Sequence, residues 1–280
     1  MARKWGNLAK NGLIHVTLWL IFIVLLFPVF VMLSTSLKTF QGAISWPPTW
    51  IPEDPQWVNY VEVWAGRYDF KVPFFNSIFI GLATSLLTVL LAFPAAYALS
   101  RFTFVGRNSL LFIVLMVQMF SPVVLIVGLY QQIQAYQLLN TFTGVIVTNC
   151  AFTIPLAVWL LHGFMKSIPY EIEQAAAVDG CSRVRGIWRV VVPLSAPGIA
   201  MTAIYAYIWS WNDLLIPLIY ISDSSLRPVS LALTDFVGQN TVYWQEMMAA
   251  SIITTLPIAI MFSFVQKYFV KGFTAGAIKG

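Results

Sequence analysis

Six runs of apolar residues set the pattern of this chain: Leu13–Leu33, Phe74–Ala98, Leu110–Gln131, Phe142–Phe164, Pro197–Ile219 and Met247–Phe264. Each is about the 17–25 residues that a helix needs to cross a bilayer. The runs are continuous, whereas the strands of a membrane barrel alternate apolar and polar positions. A helix satisfies its own backbone hydrogen bonds and so tolerates lipid. The pattern therefore predicts an all-α membrane protein of about six transmembrane helices, organised as a single domain over residues 1–280. The first run follows the basic residues Arg3, Lys4 and Lys10, as the core of a signal peptide would. It is too long for that role and no small-residue cleavage site follows it, so a retained helix is expected.

Composition supports lipid as the solvent. Of the 280 residues, 59% are hydrophobic and 10% charged, against about a quarter charged in soluble domains. The net charge of +5 would suit a nucleic-acid binder, but the placement of the charges argues otherwise. With six spans, Lys38, Arg67, Lys71 and Arg227 fall on one side, and the other basic residues, twelve of the sixteen, fall on the side of the termini. The positive-inside rule then puts both termini in the cytoplasm. The charge is a topology signal, and no nucleic-acid partner is expected. Cys150 and Cys181 make no disulfide framework, and no metal site is expected. The segment Ser34–Pro73 carries Trp46, Trp50, Trp57 and Trp64, which suits the outer membrane surface.

The segment after the fourth run, residues 167–193, is the most informative. Pro169 suits the first position of a helix. Glu171 and Glu173 complement the positive end of its dipole. Gly180 fits the left-handed position that ends it. Ser182 can cap a second helix, in which Val184, Ile187, Trp188 and Val191 recur at helical spacing as one apolar face. Pro193 and Pro197 mark the return to the membrane. Two readings fit this pair of short helices: an amphipathic element lying on the inner leaflet, or a docking surface for a separate protein. The run Ala175–Ala177 favours docking, because small residues permit close approach while keeping helix propensity.

The sequence Gln174-Ala-Ala-Ala-Val-Asp-Gly180, continuing to Ile187 and Val191-Val-Pro193, resembles the EAA loop of ABC importer permeases. Gln174 stands where that family has Glu, with Glu173 just before it. Further matches to the carbohydrate branch, the maltose-type second permease or MalG-like family, run along the chain. They are Leu33-Ser-Thr-Ser-Leu-Lys38, Asn59-Tyr60, Asn76-Ser77, Ala95-Ala-Tyr-Ala-Leu-Ser-Arg101, Trp211-Asn-Asp-Leu-Leu-Ile-Pro217 and the tail Gly272–Gly280.

The resemblance implies the type I importer permease fold and the function of an inner-membrane subunit for sugar import. It implies that Glu173, Gln174, Ala175, Ala176, Asp179 and Gly180 belong to a coupling helix seated in a separate ATPase. The implied partners are a second, different permease chain, an ABC ATPase dimer and an extracytoplasmic sugar-binding protein. No GxxxxGK[ST] phosphate loop is present, so no cofactor is expected in this subunit. ATP and magnesium would be bound by the partner ATPase.

Asp213 is the ionisable residue placed well inside a predicted span, where a carboxylate is costly and should face the bundle interior or water. With Asn212 and Trp209 it offers polar groups for sugar hydroxyls and a ring for stacking. The same polar groups could instead tie helices together. Gln118 and Asn149 are further pathway candidates under the same two readings. An intramembrane enzyme would need a paired acid, a metal cluster or an activated nucleophile, and neither HExxH nor GxSxG occurs. A secondary transporter would show buried ionisable groups and related halves. The nearest rival is an ABC permease for a solute other than sugar.

Overall fold

The computed structural model describes the backbone of residues 2–238 and 241–277, and the side chains of residues 12–238 and 241–263. The tail Gly272–Gly280 and the basic residues near both termini therefore lie outside the described side chains. In chain order the helices are α1 (Ala2–Ser36), α2 (Phe40–Ile44), α3 (Val58–Ala65), α4 (Lys71–Arg101), α5 (Arg107–Met116), α6 (Pro122–Ala135) and α7 (Phe142–Lys166). There follow α8 (Glu171–Val178), α9 (Arg183–Gly186), α10 (Val192–Leu194), α11 (Ala196–Asn212), α12 (Leu215–Tyr220), α13 (Val229–Ala232) and α14 (Trp244–Ala277). Pairing of β type among the described residues is confined to an isolated bridge between Val237 and Val242.

Among the described residues, four helices are long and apolar enough to cross a membrane on their own, within α1, α4, α7 and α14. Two bent pairs raise the number to six if each is one span. The expected third span, Leu110–Gln131, is broken: α5 and its short 3-10 extension meet α6 at 98°. Ser121, extended at φ −64° and ψ 131°, precedes Pro122 at the start of α6. A proline ring disfavours helical geometry in the residue before it. The expected fifth span, Pro197–Ile219, also differs. Its helix α11 ends at Asn212, Asp213 is extended, and α12 starts afresh at Leu215. Seventeen residues rise about 25 Å, short of the roughly 30 Å hydrocarbon core.

Two compact units divide the chain. The first comprises α1–α3 up to Phe70, together with Leu233–Thr255. None of the apolar window of α1 is buried within the chain, which suits contact with lipid. At the end of α1, Asn59 Nδ2 donates to the carbonyls of Ser36 and Lys38, each at 2.9 Å. Tyr60 and Ser36 share a hydroxyl hydrogen bond of 2.7 Å, and Lys38 Nζ donates to the Thr49 carbonyl. The two sequence signatures 33–38 and 59–60 are thus one clamp. Elsewhere in this unit Phe236 is fully buried, 4.2 Å from the Tyr68 ring centroid. Tyr68 donates to Glu246 Oε2 at 2.6 Å; burial first, then this bond, pushes its hydroxyl pKa up. Trp46, Trp50 and Trp57 are exposed, and Trp64 is half-buried.

The second unit holds Lys71–Ala232 and the rest of the chain from Leu256. Its centre is the packing of α7 against α4 and α11. Small and hydroxylated residues let the backbones approach, the usual solution between helices in lipid. Thr88 and Thr153 share a hydrogen bond of 2.7 Å between α4 and α7. Ser85 on α4 donates to the Ala203 carbonyl of α11 at 2.7 Å. Cys150 is buried and faces the Thr84 carbonyl at 3.7 Å, a packing residue as expected. Gly81 lies so close to Tyr207 that a Cβ would sit 2.7 Å from the ring. Asn76 Nδ2 donates to the carbonyls of Ser225 and Arg227 at 2.8 and 3.0 Å, and Ser77 Oγ accepts from Val229 N at 2.8 Å. The signature Asn76-Ser77 therefore fixes the segment 225–229 to the start of α4.

Candidate functional sites at the two ends of α11

In the loop that leads from α7 to α11 the glycine corner folds as its sequence predicts, whereas Pro169 stands two residues ahead of α8, which starts at Glu171 rather than at the proline. α8 ends in a Schellman motif: Cys181 N donates to the Ala176 carbonyl at 3.0 Å and Gly180 N to the Ala177 carbonyl at 3.1 Å. Gly180 has φ +80°, a conformation that costs a residue with a Cβ roughly 1–2 kcal/mol. A Cβ there would meet no atom within 4 Å, so the need for glycine is conformational. Ser182 is extended and stands at the cap position of α9, without a side-chain cap bond.

The single apolar face expected for the second helix does not form. Val191 is fully buried and Ile187 packs on the same cluster, but Val184 and Trp188 are each 66% exposed. Residues Ile187–Val191 form a π-helical turn. Its wider spacing rotates the faces that α-helical periodicity would align.

The six loop residues expected to form a coupling surface divide in two. Gln174, Ala175, Asp179 and Gly180 are exposed, with Ala176 partly covered. Glu173 turns inward. Its Oε1 accepts from Arg101 Nε at 2.6 Å, with the two side chains only 11% and 6% exposed, and its Oε2 accepts from the Tyr97 hydroxyl at 3.0 Å. Arg101 also donates to the Ile168 carbonyl at 3.1 Å. Arg101 and Tyr97 lie in a signature that the sequence displayed, yet nothing in one sequence pairs that signature with Glu173.

The other end of α11 borders an open cavity of about 420 Å³, lined by Tyr205, Ile208, Trp209, Asn212 and Asp213. Trp209 stacks on Phe152 of α7, centroids 6.4 Å apart, and neighbours Tyr205 at 6.4 Å. Asn212 Nδ2 donates back to the Ile208 carbonyl at 2.8 Å. Three of the five expected pathway residues thus meet at one surface. Gln118 reaches the neighbourhood from the bend between α5 and α6, where it donates to the Phe152 carbonyl at 2.8 Å. Asn149 is fully buried on α7. Tyr205 was missed by sequence reasoning, although it lies one helical turn before Trp209 and so shares its face.

Asp213 stands just past the end of α11, in extended conformation, and its side chain caps the next helix. Its Oδ1 accepts from Leu215 N at 3.1 Å and from Ile216 N at 3.4 Å, satisfying the first turn of α12. Its main-chain carbonyl accepts from Ser230 Oγ at 2.6 Å. Its Oδ2 is buried without a partner in hydrogen-bonding geometry, although the Asn149 side chain lies beside the carboxylate. Trp211 points elsewhere: it is buried, stacked on Tyr207 at 5.5 Å and set edge-on to Phe74 at 6.0 Å.

Comparison with known proteins agrees with this geometry. Residues 7–275 match the family described as binding-protein-dependent transport system inner membrane component. The chain is 36% identical over 281 residues to the inner membrane ABC transporter permease protein YcjP of Escherichia coli, covering 100% of each. It is 35% identical over 224 residues to the trehalose/maltose transport system permease protein MalG of Thermococcus litoralis, covering 79% of this chain and 81% of the relative. Its fold is similar to a chain in the crystal structure of a bacterial ABC transporter that imports the acidic polysaccharide alginate. There the TM-score is 0.78 at 22% identity, with 92% of this chain and 96% of that one covered. The loop with its glycine corner, the bundle around α7 and the match along nearly the whole chain lead to one assignment: this protein belongs to the binding-protein-dependent transport system inner membrane components, the multi-pass permeases of ABC importers.

Proposed function

We propose that this chain imports a sugar or oligosaccharide as one of two permease subunits, forming a single permease domain that supplies half of the pathway. ATP hydrolysis takes place on a separate ATPase dimer that binds ATP and magnesium, and this subunit carries no cofactor of its own. Both termini and the loop 167–193 face the cytoplasm, as the basic residues require. An extracytoplasmic binding protein delivers the sugar. The relative named for trehalose and maltose transport supports the substrate class.

The observation that carries this reading is the architecture of the loop. α8 buries none of its residues, yet its ends are fixed by the Schellman corner and by the Glu173 ion pair. Val178, Val184 and Trp188 stay exposed at 88, 66 and 66%. An ordered helix surrounded by exposed apolar side chains marks a surface for another protein. Gln174, Ala175, Ala176, Asp179 and Gly180 form the part that meets the ATPase. At the other end of α11, Trp209, Asn212 and Asp213 offer a ring face and polar groups to a passing sugar, with Gln118 and Asn149 behind them.

Gentle purification from native membranes tests the assignment. Recovery of an ABC-type ATPase and a second permease with the chain supports it. Recovery of the chain alone across several mild detergents would refute it.

A further inference from the structure

We propose that α4 transmits the movement of the coupling helix, through a latch made by Glu173, Arg101 and Tyr97. The proposal rests on the importer reading, in which α8 is carried by the ATPase. By chain connection, α8 moves α7 and the helices leading to α11. The latch adds α4, which is distant from α8 in sequence.

The geometry is that of a firm hold. A helix of eight residues with no buried side chain is marginal on its own and has no apolar anchor. Its Glu173 has both carboxylate oxygens satisfied by α4, one by the Arg101 guanidinium at 2.6 Å and one by the Tyr97 hydroxyl at 3.0 Å. Arg101 also grips the approach to α8, through the Ile168 carbonyl at 3.1 Å and the Tyr170 ring at 5.7 Å. A charge-assisted pair sheltered from water is short and directional, and losing one partner leaves the other charge stranded.

α4 then runs 31 residues, or about 46 Å. Near its start Asn76 and Ser77 hold the segment 225–229. Ser230, next along, is bonded to the Asp213 carbonyl at the cavity. Hydrogen bonds at both ends of one unbroken helix, and the short backbone step from Val229 to Ser230, therefore join the coupling helix to the cavity.

The test is uptake per ATP hydrolysed, measured on the complete complex in proteoliposomes with Glu173→Ala, Arg101→Ala, the double variant and the conservative Glu173→Gln and Arg101→Lys. Each alanine variant is expected to lower the ratio about tenfold, and the double variant no further, because partners in one contact do not add. Tyr97→Phe is expected to lower it about twofold, the share of a single hydrogen bond. Native ratios in the alanine variants, or losses that multiply in the double variant, would overturn the latch. So would alanine variants that fail to assemble while Glu173→Gln and Arg101→Lys assemble with native ratios, since the pair would then serve folding alone. Failure of the importer reading is distinguishable: the native complex itself would then show no ATP-dependent uptake.

Discussion

Two residues show how local geometry decides a role. Gly180 holds φ +80° in a corner that faces open space. Gly180→Ala should therefore cost roughly 1–2 kcal/mol of local strain and only modestly lower the melting temperature of the complex. Gly180→Arg adds a long side chain to the docking surface. It is expected to leave the chain in the membrane and abolish uptake; normal uptake by that variant would remove the coupling assignment. Asp213 caps α12 through Oδ1, its Oδ2 is buried without a hydrogen-bond partner, and the residue lines the cavity. Asp213→Ala should destabilise the chain by about 0.5–2 kcal/mol, the value of a lost cap. Asp213→Asn keeps an acceptor for the cap and should melt close to the native temperature. Both variants are expected to reduce uptake. Native uptake by Asp213→Asn would confine the residue to capping.

At the scale of elements, four of the apolar runs coincide with long unbroken helices, while the third and fifth are broken in ways the runs did not show. Pro122 and Pro197 were visible at the two bends, yet Pro94, Pro155 and Pro257 lie inside unbroken helices. Neighbouring helices satisfy the backbone groups that a proline frees in a membrane, so proline alone does not decide where a helix bends. The glycine corner was legible because only a few motifs end a helix that way. The π turn at Ile187–Val191 was not, since no residue pattern distinguishes it from an α-helix, and it split the apolar face that periodicity implied. The cap role of Asp213 had a signal in the run Asp-Leu-Leu-Ile-Pro217, but the apolar surroundings masked it. The contact between Glu173 and Arg101 joins residues 72 positions apart, a pairing that no local pattern encodes. The close approach of α4 and α11 at Gly81 carries its own expectation. Gly81→Val overpacks against Tyr207 and should destabilise the chain by about 1–3 kcal/mol, read as a lowered melting temperature. An unchanged value would mean that the two helices separate readily.

At the scale of the whole molecule, the chain is one part of a machine. The apolar window of α1 is unburied within the chain, and the loop 167–193 leaves Val178, Val184 and Trp188 exposed. Both features leave apolar side chains for other molecules to cover, and in the proposed function the loop meets the ATPase. A ligand shifts a conformational equilibrium only through different affinity for the two states. In the proposed function, ATP and the loaded binding protein each favour one orientation of the pathway, and this subunit would convert the first preference into the second. The most direct measurement is sugar uptake by the complete complex in sealed proteoliposomes, with ATP inside and the binding protein outside, in the absence of any ion gradient. Uptake that requires both ATP and the binding protein, and stops with Gly180→Arg, is the expected result. Uptake that proceeds without ATP and follows an imposed ion gradient would contradict the account.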